Sequence, residues 1–341
     1  MNVRLFELIS FILVIGSGSY GFFLQRNKIF PYKIIKNLYH KLIAQSSSDY
    51  GWAIGVHAGS SPFDSLDLIN IKKPALTARD VTDIEAQSLA DPFIIESGSS
   101  LFMFFEAIRK SDDRGVIGLA QSSDGLEWKY KQIVIEEPFH LSYPYVFKWQ
   151  DDYYLVPESN LDLSVRIYRA TDFPTHWKYE GKLLSGYHFT DPSIIRYNNT
   201  WWMFVSTREN DVLNLYYSDN LMGAWMQHPQ SPIVRDNRHK SRPAGRLLVF
   251  DGKLYRLAQD DYPIYGSQVF AYEIIEISGT TYREKLAFDG PIVKASQRGW
   301  NSDRMHHLDA LMVNPHRWLV TVDGYRGPKV MSKYHDQRGR K

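Results

Sequence analysis

Apolar and polar positions alternate in short runs along most of this chain, and the runs come in hairpins. Ala90-Asp91-Pro92-Phe93-Ile94-Ile95 leads through Ser97-Gly98-Ser99-Ser100 to Leu101-Phe102-Met103-Phe104-Phe105-Glu106. The same order returns as Thr190-Asp191-Pro192-Ser193-Ile194-Ile195, the turn Asn198-Asn199-Thr200, and Trp201-Trp202-Met203-Phe204-Val205-Ser206. Apolar runs of this length bounded by Gly, Asn, Asp and Ser predict paired strands. Tyr143 leads to Glu158, and Ala244 to Gln259, in the same way. In all four hairpins fifteen positions separate the first and last residue of the phrase, which makes the hairpin a repeat.

Each hairpin is followed by a third β-rich run, such as Gly115-Val116-Ile117-Gly118-Leu119-Ala120 or Val165-Arg166-Ile167-Tyr168-Arg169, and by a polar turn that ends at a tryptophan. These tryptophans, Trp128, Trp177 and Trp225, lie 49 and 48 positions apart. A four-stranded unit of about 50 residues predicts a β-propeller blade. A fourth blade runs from Gly245 to Pro291, and a fifth starts at His307-Leu308-Asp309-Ala310-Leu311 and continues through Trp318-Leu319-Val320-Thr321-Val322. Too few residues remain to finish it, so Tyr50 to Val56 is expected to supply the closing strand and remove an open sheet edge. The expected fold is all-β, a five-bladed propeller over residues 50–327 closed by an N-terminal strand.

Before it, residues 1–44 read as an apolar and basic helical segment. Leu5 to Leu24 has the length of a bilayer-spanning helix. Arg26, Lys28, Lys33, Lys36 and Lys41 follow it against Arg4 before it, which places the propeller on the cytoplasmic side if the segment spans. An amphipathic helix lying on a membrane, or packed on the domain, is the other reading. Residues 45–49 read as a linker and 328–341 as a basic tail.

Composition adds exclusions. Forty basic against 38 acidic residues give a formal charge of +2, with no basic stripe, so nucleic acid is not an expected partner. No cysteine is present, which removes disulfides, thiolate metal sites and a cysteine nucleophile. Aromatics at 14 %, with 22 Tyr and 9 Trp, exceed what packing usually needs and suit stacking on sugars.

Within each blade the first strand starts, and the second ends, at one face. The fifteen-residue spacing sets Ile94 opposite Met103 and predicts Asp91 opposite Glu106, Tyr143 opposite Glu158, Asp191 opposite Ser206 and Ala244 opposite Gln259. One rim then gathers Asp91, Glu106, Glu158 and Asp191 as candidate acid–base residues. Tyr143, Arg246, His306, His307 and Asp309 are candidates for contacting a ligand. Acids around an axial cavity suit inverting glycoside hydrolysis, in which two carboxyls flank the bond and a water. The alternative is that a ring of buried polar groups simply stabilises the axis, as in a scaffold propeller. Adjacent histidines on a strand face opposite ways, so no metal site is expected at His306 and His307, and no cofactor is expected.

Asp91-Pro92, Tyr143-Pro144 and Asp191-Pro192 resemble the five-bladed propeller of family 43 glycoside hydrolases. The resemblance implies a general base at Asp91 and an acid-tuning residue at Asp191. That family's general acid is a Glu opening blade four; this chain has Arg242-Pro243-Ala244-Gly245-Arg246 there, leaving Glu158 or Glu106 to substitute. A wider resemblance, from Trp52 to Tyr325, rests on Val156-Pro157-Glu158-Ser159, Arg242 to Arg246 and His306-His307-Leu308-Asp309-Ala310. These residues resemble the N-terminal propeller domain of plant glucosamine inositolphosphorylceramide transferases and its bacterial relatives. It implies a carbohydrate or glycolipid ligand and work beside a glycosyltransferase, and it assigns no catalytic residues.

Overall fold

A computed structural model of the chain describes residues 51–64 and 68–327. The apolar segment Leu5 to Leu24, the expected N-terminal helix and the basic tail lie outside the described residues. Among the described residues no helix is long and apolar enough to cross a membrane.

The fold is a five-bladed β-propeller. Blade one is β2 (Ala86–Ser97), β3 (Ser100–Arg109), β4 (Gly115–Ser122) and β5 (Lys129–Ile135), in that order from the axis outward. Blade two is β6 (Ser142–Trp149), β7 (Asp152–Ser159), β8 (Ser164–Asp172) and β9 (His176–Ser185), and blade three is β10 (Phe189–Tyr197), β11 (Thr200–Thr207), β12 (Leu213–Ser218) and β13 (Met226–Gln227). Blade five is β20 (Leu308–Asn314) and β21 (Arg317–Arg326), with β1 (Gly51–Gly59) paired antiparallel to β21. The chain therefore closes on itself through its first strand, as the shortfall of residues after Val322 predicts.

Blade four departs from the simple hairpin. Its inner strand is split into β14 (Arg242–Pro243) and β15 (Leu248–Phe250), both paired with β16 (Lys253–Asp260); β17 (Gln268–Ile277) follows, pairing with β18 (Tyr282–Leu286) and β19 (Val293–Lys294). The break falls where Pro243 has no amide to give and Gly245 has φ +135°. A Cβ at Gly245 would sit 1.7 Å from the Leu308 carbonyl oxygen, so blade five presses on this backbone too closely for any side chain.

Both faces of each blade are apolar, and the four apolar clusters straddle blade boundaries. Phe93, Tyr145 and Ile194 belong to one that joins blades one to three, and Ile54, Met103 and Leu319 to one that joins blades five and one. The repeated tryptophans have one shared task. Each indole N–H donates to a carbonyl three or four residues earlier, Trp128 to Gly125 (2.9 Å), Trp177 to Pro174 (2.9 Å) and Trp225 to Leu221 (3.1 Å). They close the turn between third and fourth strands.

Candidate functional site

The repeated phrase is a β-bulge. Ile94 pairs with Met103 as predicted, but Glu106 faces Ala90 and not Asp91, because the register shifts by one between Ala90 and Phe93. Blades two and three repeat the correction: Ser142 takes the place opposite Glu158, and Thr190 that opposite Ser206. In blade four Arg242, not Ala244, faces Gln259. The extra residue in the first three blades is Asp91, Tyr143 or Asp191, with φ 52°, 49° and 49°, in the left-handed region. A side chain there costs about 1–2 kcal/mol. Asp tolerates it better than Tyr. The following proline lacks the amide that a bulge would leave without a ladder partner.

The bulge turns each extra residue's amide toward the preceding blade, where a carboxylate receives it. Asp91 N donates to Asp323 Oδ2 (3.1 Å), Tyr143 N to Asp91 Oδ2 (3.3 Å) and Asp191 N to Glu158 Oε2 (3.2 Å). The series ends at blade four in an ion pair. Arg242 donates through Nε to Asp191 Oδ2 (2.6 Å) and through Nη2 to Asp191 Oδ1 (3.2 Å), and its Nη2 lies 3.6 Å from Glu158 Oε2. Gln259 adds a bond to Asp191 at 2.9 Å. Carboxylates and a guanidinium thus stitch blade five to one, one to two, two to three and three to four.

Blade two carries Tyr143 where blades one and three carry Asp, and its side chain crosses the axis. Its hydroxyl accepts from Gly245 N (2.6 Å) and lies 2.7 Å from Ser193 Oγ and 2.9 Å from the Gly245 carbonyl. Below it, Arg246 grips Asp309 (Nε–Oδ1 2.8 Å) and donates to the Val146 carbonyl (2.9 Å), while Asp309 Oδ2 receives Ile94 N (2.7 Å). Tyr143, His307 and Asp309 are wholly buried. These three and Arg246, expected to touch a ligand, are instead committed to the axis and support the rim from below.

His306 and His307 do face opposite ways. His306 stacks on Trp52 (4.1 Å between centroids) and meets Tyr265 edge-on, whereas His307 packs edge-on against Phe93 and Tyr143. Asp323 receives the amides of both histidines (3.1 Å each) and the His306 Nδ1 proton (2.8 Å). Burial opposes charge on His306, but the adjoining Asp323 carboxylate outweighs it and pushes the imidazole up to about 9. Asp323 is correspondingly held below the usual carboxylate range. His307, with the Asp323 charge already taken up by its neighbour, is driven down to about 4 by burial. Donor atoms of Asp91, His306 and Asp323 lie within 4.8 Å of one another, a spacing that would admit a cation. Each is already engaged: His306 Nδ1 and Asp91 N with Asp323, and Tyr143 N with Asp91. The donor set therefore reads as an imidazolium–carboxylate cluster.

Burial also raises the Asp91 carboxyl well above its ordinary value, with the Asp191, Glu106 and Asp323 charges adding to the effect against His306. Glu158 is raised well above its own, first by burial and then by Asp191, with Arg242 opposing. Asp91, Glu106 and Glu158 keep a small exposed edge at the face. Glu106 is joined by His140, whose Nε2 lies 2.8 Å from Glu106 Oε1 and whose Nδ1 accepts Gly115 N (2.9 Å). The carboxylates around His140 push it up to about 9 against the cost of burial, while the Gly115 amide, aimed at Nδ1, works against that second proton.

Arg242, Asp323, His140, Tyr265 and Trp52 complete the site; none of them is among the candidate site residues expected from sequence, although Arg242 opens the blade-four phrase. Asp323 had a signal: it follows Trp318 to Val322 as Glu106 follows Phe102 to Phe105, one residue beyond the stretch read as blade five's second strand. Arg242 also had one, standing at the first position of the blade-four phrase. His140 had none, since only the path of the connector between blades one and two brings it to Glu106.

The solved structures that superpose on this chain include glycosidases. The catalytic domain of the Coprinopsis cinerea GH62 α-L-arabinofuranosidase superposes with a TM-score of 0.56 at 14 % identity, covering 81 % of this chain and 98 % of that one. An exo-β-1,3-galactanase from Clostridium thermocellum gives 0.53 at 15 % identity over 69 % of this chain and 60 % of that one. At such identities the likeness is one of fold. In sequence, glucosamine inositolphosphorylceramide transferase 1 of Oryza sativa subsp. japonica is 36 % identical over 300 residues, and that of Arabidopsis thaliana 31 % over 306. These alignments take in 81 % and 83 % of this chain but 40 % of each relative, so the chain spans well under half the length of the curated relatives it matches. The family model for the N-terminal part of glucosamine inositolphosphorylceramide transferase 1 matches residues 44–325. The chain belongs to the family of glucosamine inositolphosphorylceramide transferase N-terminal propellers.

Proposed function

We propose that the protein is a carbohydrate- or glycolipid-recognising propeller that acts in glycan or glycolipid assembly beside a glycosyltransferase. The observation that carries this reading is the Arg242–Asp191 ion pair, 2.6 Å at Nε, in the place where a hydrolase of this architecture would need a proton donor. A guanidinium cannot protonate a leaving oxygen at neutral pH. It also fixes the buried Asp191 beneath the face, where Asp91, Glu106 and Glu158 keep the exposed edges that offer acceptors to sugar hydroxyls. Trp52, stacked on His306, and Tyr265 supply rings beside them. The relatives' name supports a ligand of the glucosamine or inositol phosphate class.

The test is calorimetric titration of the full chain with glucosamine- and inositol-phosphate-bearing oligosaccharides, alongside a glycan array. Asp91→Asn and Tyr265→Ala, checked for native circular dichroism, should weaken binding at least about tenfold, the loss of one charged hydrogen bond or one stacking platform. Equal binding by wild type and both variants overturns the reading.

A second reading, glycoside hydrolysis of the inverting type, is favoured by Glu158, whose pKa, raised by burial, keeps a proton available beside Asp191. It predicts reducing-end release from an oligosaccharide panel that disappears in both Asp91→Asn and Glu158→Gln. Release that survives in both excludes these roles.

A further inference from the structure

The first strand of every blade starts at the face that carries the acids, so antiparallel pairing brings the connectors after second and fourth strands to that same face. Two of these connector groups are apolar at their tips. Leu161 and Leu163, between β7 and β8, and Tyr187, between β9 and β10, form one; Tyr262, Ile264 and Tyr265, between β16 and β17, form the other. These side chains are 38–57 % exposed. The first group is braced internally, Gly186 N donating to the Leu163 carbonyl (2.8 Å) and His188 Nδ1 meeting the Asn160 carbonyl (3.0 Å). The second leans over the site: the Arg242 guanidinium lies 5.2 Å from the Tyr265 ring, and Tyr262 meets His239 edge-on. Greasy tips held rigid around a polar rim are costly in water and need a partner that is apolar beneath and polar at its surface.

The chain ends say which partner. Gly51 pairs with Arg326, and both lie at this face, so residues 1–50 and 328–341 join the propeller there. The first of these carries the apolar run Leu5 to Leu24 with five basic residues after it, and the second carries Lys329, Lys333, Arg338, Arg340 and Lys341. An apolar segment with basic flanks favours a bilayer with anionic headgroups, and its point of attachment would bring this face of the propeller toward it.

We infer that the acid-rimmed face docks on a lipid bilayer, with Leu161, Leu163, Tyr187, Tyr262 and Ile264 entering the interfacial layer and the Asp91–Glu158–Asp191 rim lying over the headgroups. The inference deepens the glycolipid reading and rests on it for the ligand. It adds the orientation in which the site meets that ligand.

The chain has no cysteine, so single cysteines can be introduced into the full-length protein and labelled with an environment-sensitive dye such as NBD. Leu163→Cys and Ile264→Cys report on this face; Leu126→Cys, exposed in the turn between β4 and β5, reports on the opposite one. On mixing with vesicles of phosphatidylcholine and phosphatidylinositol, emission from positions 163 and 264 should shift to the blue and brighten, and emission from 126 should stay as in buffer. The inference is overturned if the protein sediments with vesicles while 163 and 264 remain solvent-like, if all three respond alike, if the protein does not associate with vesicles at all, or if 163 and 264 respond to a purified protein partner and not to lipid. Titrating the same labelled proteins with soluble oligosaccharides separates the two claims. Sugar binding without a lipid response leaves the recognition function standing and removes the docking.

Discussion

The hydroxyl of Tyr143 in blade two lies 2.6 Å from the backbone nitrogen of Gly245 in blade four, so one phenol joins non-adjacent blades across the axis. Both residues are left-handed, φ 49° and +135°, and both are buried. Removing the hydroxyl leaves the Gly245 amide inside the protein with no acceptor. Tyr143→Phe should therefore lower the unfolding free energy by about 1–3 kcal/mol in urea melts. A change smaller than about 0.5 kcal/mol would mean that the bond contributes little to holding the blades together.

Gly245 itself admits no replacement. Gly245→Ala adds a carbon that would overlap the Leu308 carbonyl, at a φ which side chains avoid. The expected cost is at least about 3 kcal/mol, combining backbone strain with the displacement of β20. Soluble expression with an unchanged thermal midpoint would contradict it.

Arg242 counters two buried carboxyls, Asp191 at 2.6 Å and Glu158 at 3.6 Å. Replacing it by methionine keeps the length of the side chain and leaves those acids without their cation, a loss of about 3–5 kcal/mol for a buried pair broken on one side. Arg242→Met combined with Asp191→Asn should recover part of that loss. A double-mutant cycle in guanidinium chloride measures the coupling, and additive costs would show that the pair does not act as one unit.

His306 makes stability depend on pH above neutrality. Its folded value, about 9, lies above the ordinary 6.5, so the folded state binds the proton more tightly than the unfolded chain does. The stabilisation is complete below pH 6.5 and is lost as pH rises through 9, up to about 3 kcal/mol for a shift of this size. His307 runs the other way: lowered to about 4, it costs stability as pH falls below 6.5. Thermal melts of wild type should fall off from pH 6.5 to 9; because His140 is also pushed up to about 9 and loses its contribution over the same range, His306→Gln should show a clearly shallower decline and His306→Gln with His140→Gln should lack it. A variant that keeps the slope would assign it to another group.

The architecture was legible because it is written locally. The hairpin phrase, the polar turns and the returning tryptophans each follow from strand-length runs and turn residues, and their repetition made five blades and closure by β1 readable without coordinates. The face that carries Asp91, Glu106, Glu158 and Asp191 was legible too, since strand direction alone sets which ends meet there. The pairing of those residues was not. A single inserted residue in each of blades one to three moves their rim side chains by one position, and a left-handed Asp before Pro looks, in sequence, like ordinary strand entry. Asp91 therefore takes the Tyr143 amide rather than facing Glu106, and Tyr143 crosses the axis. Arg242, Asp323 and His140 become site residues only through contacts spanning blades, which depend on how five separate hairpins are placed around one axis. Local chemistry determined the strands and their face; only the closing of the ring decided which charges meet.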